Sequence, residues 1–360
     1  MGKRLRSCRA FLRLPLFPMV PDTDVRDLTI LGAGPTGLFA AFYAGMRGAT
    51  ARLVDALDQV GGQVTALYPE KDIFDVGGFP KILGKDLVKV LKQQGLQWGA
   101  PVHLAETVTG LRRETVEVGR QGFVIVTERA EYQSRALIIA AGLGAFTPRK
   151  LPIAGVEQWE GKGVFDRVLD PKQFKGQRVV IVGGGDSAFD WCVNLIDLAK
   201  SLALVHRRDG FRAHQATVDQ VMGYVKARRM EIKTFCEVRA IQGTGRVESA
   251  TLYHSKSKEE EQVAVDVIIP QLGFHTALGV IEEWGLDIEK GEIKVSSTMA
   301  TNIPGIYAAG DVNTFEGKLK LIATGFADAC VAVNYAVNWI NPAKKIDPGH
   351  SSNMALFEGK

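Results

Sequence analysis

The feature that constrains this chain most is a strand, glycine turn, helix, strand pattern that occurs twice at one spacing. The first copy, Leu28 to Asp55, reads LTILGAGPTGLFAAFYAGMRGATARLVD, and the second, Arg178 to Arg212, reads RVVIVGGGDSAFDWCVNLIDLAKSLALVHRRDGFR. Three small residues punctuate each turn: Gly32, Gly34 and Gly37 in the first, Gly183, Gly185 and Ala188 in the second. In such a unit the first allows a tight turn, the second leaves room for a pyrophosphate, and the third lets the helix lie close on the strand. The phosphates then meet the helix N-terminus, where unpaired N–H groups and the helix dipole both favour anions. Gly32 to Asp55 spans 23 residues and Gly183 to His206 spans 23 again. The fold class this predicts is α/β, with two Rossmann-like dinucleotide-binding domains.

The two copies differ in their chemistry. Asp55 is placed to accept hydrogen bonds from an adenosine ribose. The second copy has His206, Arg207 and Arg208 at that place, with Arg212 four residues further on. A carboxylate there would repel a 2′-phosphate, whereas guanidinium groups bind phosphate through charge-assisted hydrogen bonds. The second site is therefore expected to prefer NADP(H), with Gly183, Gly185 and Ser187 on the nucleotide; a merely solvated basic turn is the plainer alternative.

At 360 residues, 46% hydrophobic and 23% charged, the chain can build two cores, and no apolar run approaches the 18 or more residues of a membrane span. Of the net charge of +4, five positive charges fall in the first 21 residues at Lys3, Arg4, Arg6, Arg9 and Arg13. The remainder is close to neutral, so nothing global points to nucleic acid. Cys8, Cys192, Cys236 and Cys330 form no CxxC or metal-ligand pattern, which reads as idle thiols in a reducing cytoplasm. Residues 1–24 read as a disordered basic extension or an upstream start ahead of Met19, with a targeting peptide as the lesser alternative.

Along the chain, Gln59 to Pro80 is rich in glycine and short of periodicity, and is expected to be a loop that wraps a ligand. Its Tyr68 either packs on the core or stacks on a flat group. Helical spacing covers 85–98, and strands are expected around Val102 to Leu111, Phe123 to Val126 and Ala136 to Ala140, before an exit through Pro148 and Pro152. Short strands follow from Glu231 to Phe274. A closing strand ends at Gly310 and Asp311, and a small-residue helix begins near Ala323, delivering an acid beside a helix N-terminus to complete the first site. The expected division is therefore a discontinuous first domain, 25–150 plus 280–340, with 151–279 inserted. The tail, 341–360, would be called frayed on composition alone.

Two dinucleotide sites imply two cofactors that meet: NADPH in one and FAD in the other as hydride acceptor, C4 of the nicotinamide against N5 of the flavin. The motifs GAGPTG, GGQVTALYPEK, VGGGDSAFDW, HRRDGFRA and GIYAAGDV together resemble the low-molecular-weight thioredoxin reductases over about residues 25–340. Those enzymes carry a redox CxxC just before the second glycine motif, whereas Gly161 to Phe174 here contains no cysteine. That departure, with LYPEK and the tail DPGHSSN, is similar to the thioredoxin reductase-like ferredoxin–NADP reductases, homodimers that hold FAD. The resemblance implies that Tyr68 stacks on one face of the flavin and His350 covers the other, with the tail as an arm crossing the dimer. It also implies FAD contacts at Thr36, Asp55, Gln63, Tyr68, Val108, Phe146, Asp311 and Ser352, to which Thr324 is added from the helix start.

The activity this implies is ferredoxin– or flavodoxin–NADP reduction by electron transfer through FAD. Arg112 to Arg113 and Lys226 to Arg229 are candidates for a basic docking patch toward an acidic partner. The rival readings are a disulfide reductase that lacks its own CxxC, a flavin monooxygenase, and a non-catalytic FAD/NADP(H) redox sensor.

Overall fold

The computed structural model describes residues 20–354 except Arg167 and Leu169, and gives the backbone alone at 20–23, 145–148 and 274–276. The chain opens with β1 (Val20–Leu31), α1 (Pro35–Met46) and β2 (Ala51–Val54). Next come α2 (Gly62–Leu67), the short strands β3 (Asp72–Ile73) and β4 (Ile82–Leu83), and α3 (Gly84–Gly95). Then follow β5 (Val102–His103), β6 (Val108–Glu117), β7 (Arg120–Thr127), β8 (Ala130–Ile139) and β9 (Ala145–Pro148).

Leu28, Ile30, Leu31 and Thr29 are all buried, so the end of β1 is covered on both faces, as a central parallel strand must be. It pairs in parallel with β2, Leu31 opposite Val54, and with β8, Leu31 opposite Ile139. β6, β7 and β8 continue the sheet as an antiparallel meander. On one face pack α1, through Leu38, Ala41 and Ala44, together with α3 and the long helix Ile322–Ile340.

The second unit begins with β10 (Arg178–Gly183), α4 (Asp186–Leu195), β11 (Ser201–His206), α5 (Gln215–Lys226) and β12 (Glu231–Thr234). An antiparallel sheet of β13 (Cys236–Gln242), β14 (Ser249–His254) and β15 (Glu260–Ala264) interrupts it before β16 (Val267–Gln271) closes the parallel sheet in the order β12-β11-β10-β16. β17 (Phe274–Ala277) then runs back antiparallel to β9, so that the outgoing and returning crossings form one ribbon.

After β18 (Ile288–Glu289) and β19 (Glu292–Lys294), β20 (Ile306–Ala308) joins the first sheet parallel to β8, Ile306 opposite Leu137. β21 (Asn313–Thr314) and α6 (Ile322–Ile340) follow, α6 lying against α1. The segment after β8 is therefore flanked in space by a strand that arrives some 170 residues later in the chain.

Two local expectations change. β1 starts at Val20 rather than near residue 25, because Val20 to Asp22 pair with Ala130 to Tyr132 across a register shift, which draws 20–24 out of the supposed extension. The wrapping loop contains the six-residue α2, too short to show a helical period in sequence, which starts after Gly61 at φ +106°.

Candidate functional site: a cleft at the first glycine turn and a basic turn on the second

A cleft of about 730 Å³ opens over the C-terminal ends of β1, β2 and β8, where ligands of such sheets bind. Gly32, Gly34, Thr36, Asp55, Gln63, Tyr68, Val108 and Asp311 all line it. Gly37 lies behind: a Cβ on it would stand 1.9 Å from the Gly32 carbonyl oxygen, so only glycine lets α1 close onto the turn. Gly34 is different. The nearest atom to a Cβ there is the Cα of Gly62 at 3.7 Å, so the gap beside it is part of the cleft and large enough to admit a ligand group. Gly62 completes that gap from α2, and the Gly61 N–H donates to the Ala33 carbonyl to seat α2 over the turn. α1 has no side-chain cap and no acid in its first turn, which leaves its N–H groups for an anion.

Asp55 braces the same turn. Its Oδ2 accepts from the Ala33 N–H at 2.6 Å and its Oδ1 from the Leu57 N–H at 2.8 Å. Each oxygen keeps a further lone pair for a ribose hydroxyl. Burial pushes its carboxyl above the usual range, against those two amide bonds. Burial likewise raises Asp311, opposed by the Lys318 and Lys320 ammonium groups. The Tyr68 phenol is raised by burial and then by the Asp311 and Asp75 carboxylates, so Tyr68 is a neutral aromatic facing the cleft. The hydroxyl of Thr36 packs where Gly310 and Gly325 have no side chain: a Cβ would stand 2.7 Å away on the former and 2.4 Å on the latter. These residues fit a dinucleotide with a flat terminal ring: an open turn for the pyrophosphate, a carboxylate for the ribose, and an aromatic wall.

The remaining expected contacts fall elsewhere. Thr324 holds the start of α6, its hydroxyl directed at the Leu319 and Leu321 carbonyls, and is absent from the lining, which Lys320, Leu321 and Ile322 supply instead. The side chain of Phe146 lies outside the described residues. His350 and Ser352 are exposed and do not line the cleft of their own chain. The tail docks at the opposite end of α1, where the Arg47 guanidinium donates to the Lys345 and Ile346 carbonyls and Lys344 Nζ donates to the Arg47 carbonyl at 3.1 Å. A 12-residue helix separates that end from the phosphate turn by about 18 Å.

The second turn has the same build with different chemistry. A Cβ on Gly183 would meet the Gln271 carbonyl oxygen at 2.4 Å, whereas nothing lies within 4 Å of one on Gly185. Ser187 is exposed on the first turn of α4, whose Asp186 is directed away to the His214 N–H at 2.8 Å. The His206 ring fills the space beside Gly184 and contacts the Gly210 carbonyl through Nε2 at 3.1 Å. Burial, followed by Arg207 and Arg208, lowers its pKa, so the ring is neutral at pH 7. The Arg212 N–H donates to the Gly184 carbonyl at 2.8 Å, folding the 207–212 loop back over the turn. Arg207, Arg208 and Arg212 are exposed and make no ion pair among the described residues. The two units touch where Lys71, in the cleft loop, faces Asp190 on α4 at 3.4 Å.

Sequence reasoning missed Gly62, Gly184 and Gly325, whose constraint is contact between remote segments, and Lys71, which only the docking of α4 brings into play. Of the proposed basic patches, Arg112 is neutralised by Glu114 and Glu131, and Arg229 by Asp197. Burial pushes Cys192 up to about 12 and Cys330 up to about 11, and raises Cys236, so none of the three is a ready nucleophile. No helix among the described residues is long and apolar enough to cross a membrane.

A profile of the pyridine nucleotide-disulphide oxidoreductase family matches residues 26–333. Relatives include a ferredoxin–NADP reductase of Thermus thermophilus, 48% identical over 92% of this chain and 98% of its own, and one of Geobacillus thermodenitrificans, 44% identical over the same shares. Among solved structures, the thioredoxin reductase of Lactococcus lactis in its FR conformation superposes with a TM-score of 0.71 at 28% identity, covering 88% of this chain and 99% of that one. The thioredoxin reductase of T. acidophilum gives 0.71 at 26%, covering 89% and 99%. The fold is that of the thioredoxin reductases.

Proposed function

The chain belongs to the pyridine nucleotide-disulphide oxidoreductase family and, within it, to the ferredoxin–NADP reductases, and we propose that its first cleft holds FAD while its second glycine turn receives NADPH. FAD, when held there, would supply the redox chemistry, hydride acceptance from NADPH and single-electron donation to ferredoxin or flavodoxin. The protein's part is to bind, orient and shield. Gly34, Gly62 and the N-terminus of α1 take the flavin pyrophosphate, Asp55 its ribose, and Tyr68 one face of the ring. Arg207, Arg208 and Arg212 take the 2′-phosphate, on a loop that the Arg212 N–H and the His206 ring hold over the turn. Because His350 and Ser352 do not reach the cleft of their own chain, the arm they belong to serves the second copy in a homodimer and covers the open face of that flavin.

The observation that carries this reading is the contrast between the two glycine turns: Asp55 braced by two backbone N–H groups at the first, and at the second Arg207, Arg208 and Arg212, exposed and without an ion pair among the described residues. The test is cytochrome c reduction by NADPH with ferredoxin, flavodoxin or thioredoxin added. Stimulation by ferredoxin without thiol formation on thioredoxin is expected; thiol formation on thioredoxin would favour a disulfide reductase instead.

A further inference from the structure

Asp311 reaches the cleft from a turn that spans Gly310–Val312, and the groups behind that turn have no part in the function so far. Asp328, on α6, is buried and Lys318 is partly so, but their side chains are only 6% and 5% exposed, and they pair directly. A single carboxylate oxygen, Oδ2 of Asp328, accepts from the Gly310 N–H at 2.9 Å, from Asn313 Nδ2 at 3.2 Å and from the Lys318 ammonium. Asn313 is itself wholly buried and donates to the Ala308 carbonyl at 2.8 Å, at the end of β20. One atom thus ties the Gly310 turn, Asn313 and the 318 loop to a single helix, and Asn313 in turn holds the end of β20.

The other side of the turn is closed as well. Gly310 has φ +83°, and a Cβ on it would stand 2.7 Å from Thr36 Oγ1, so Thr36 on α1 packs against the same residue whose N–H Asp328 on α6 accepts. The next residue, Asp311, lines the cleft. A buried ion pair is a poor source of stability, and apolar side chains of similar size often do as well. Charge in this place has a better account as a means of fixing direction.

Building on the FAD reading above, we propose that Asp328 is a positioning residue for the flavin site: it clamps the Gly310 N–H so that the Asp311 carboxylate meets FAD, with Lys318 as its counter-charge. The test uses two double variants that both remove the buried charges. Lys318→Met/Asp328→Asn keeps an oxygen for the Gly310 N–H, and Lys318→Met/Asp328→Leu does not. FAD binding to each apoprotein is followed by flavin fluorescence, and folding by thermal midpoint.

Relative to wild type, the Asn variant is expected within about threefold in FAD dissociation constant and the Leu variant about tenfold or more weaker, at similar thermal midpoints. Asp311→Ala should weaken binding strongly in the Asn background and hardly at all in the Leu background, a coupling that loss of stability alone does not produce. Equal FAD affinity of the two double variants, or an equal cost of Asp311→Ala in both, would overturn the assignment. If the Leu variant does not fold, Lys318→Met/Asp328→Ser, with a hydroxyl too short to reach Gly310, takes its place under the same criteria. Wild-type apoprotein that takes up no FAD would instead overturn the cofactor reading itself.

Discussion

Gly34 and Gly37 stand three residues apart in one turn, yet they answer to different demands. Gly37 is required by the protein, since a Cβ there would run into the Gly32 carbonyl, whereas a Cβ on Gly34 would meet nothing closer than Gly62 Cα at 3.7 Å, so on our proposal only the bound pyrophosphate demands glycine there. Gly37→Ala should therefore destabilise the apoprotein by about 2–3 kcal/mol, through overpacking against backbone that cannot yield. Gly34→Ala should leave the thermal midpoint of the apoprotein nearly unchanged and weaken FAD binding by about tenfold or more, or about 1.4 kcal/mol; unchanged FAD affinity would remove the pyrophosphate from that gap. At the second turn, Arg207→Ala with Arg208→Ala should raise the Michaelis constant for NADPH by about 10- to 100-fold, as two charge-assisted bonds to phosphate are lost, and leave that for NADH nearly unchanged. Parallel rises for both nucleotides would refute the assignment. Glycines that serve their own turn were legible from spacing. Gly62, Gly184 and Gly325 were not, because each makes room for a side chain or backbone from a distant segment, and nothing in the local sequence announces that neighbour.

Among the elements, the long apolar runs of β1, β8 and β10 and the 3.6-residue spacing of α3 were readable because burial on both faces, or on one stripe, writes itself into the residue order. α2 was not, at six residues. The arm at 341–360 shows a different limit: its composition reads as frayed, and its docking through Arg47 and Lys344 depends on main-chain carbonyls, which any residue supplies. Deleting 341–360 should change NADPH turnover more than FAD retention, measured as kcat against flavin content; equal loss of both would count against a cover over the flavin. In the second unit, the Arg178 side chain and N–H both bond Asp266, joining the starts of β10 and β16. Arg178 holds the Asp266 carboxyl down to about 2 from an ordinary 3.8. The folded state thus binds the proton less readily than the unfolded one, so the stabilisation is present above pH 3.8 and is lost as pH falls toward 2. With solvent screening the pair contributes about 1 kcal/mol, so Asp266→Asn should lower stability at pH 7 by about that much and flatten the acid limb of a denaturation series. An unchanged acid limb would show that the pair contributes nothing.

For the whole molecule, the second unit is an insertion between β8 and β20, entered and left through the β9–β17 ribbon. Its α4 meets the cleft loop at Lys71 and Asp190, a partly exposed pair that contributes at most about 1 kcal/mol. The covalent ribbon, rather than that contact, keeps the two cradles within reach of one another. The repeated motif leads us to expect two units, with the closing strand, which delivers an acid beside a helix start, returning to the first; in the structure that strand, β20, lies parallel to β8. What sets this chain apart from the thioredoxin reductases it resembles in fold is the lack of a thiol pair between the cradles: Gly161 to Phe174 has no cysteine, and Cys192, Cys236 and Cys330 are free thiols that burial makes unreactive. One flavin per chain should therefore take up the whole of the reducing power delivered by one NADPH. An anaerobic titration of the purified holoprotein with NADPH, followed by flavin absorbance and by thiol reagent, counts the electrons directly. Two electrons per chain with no new thiols is the result predicted; four electrons, or two thiols appearing on reduction, would contradict it.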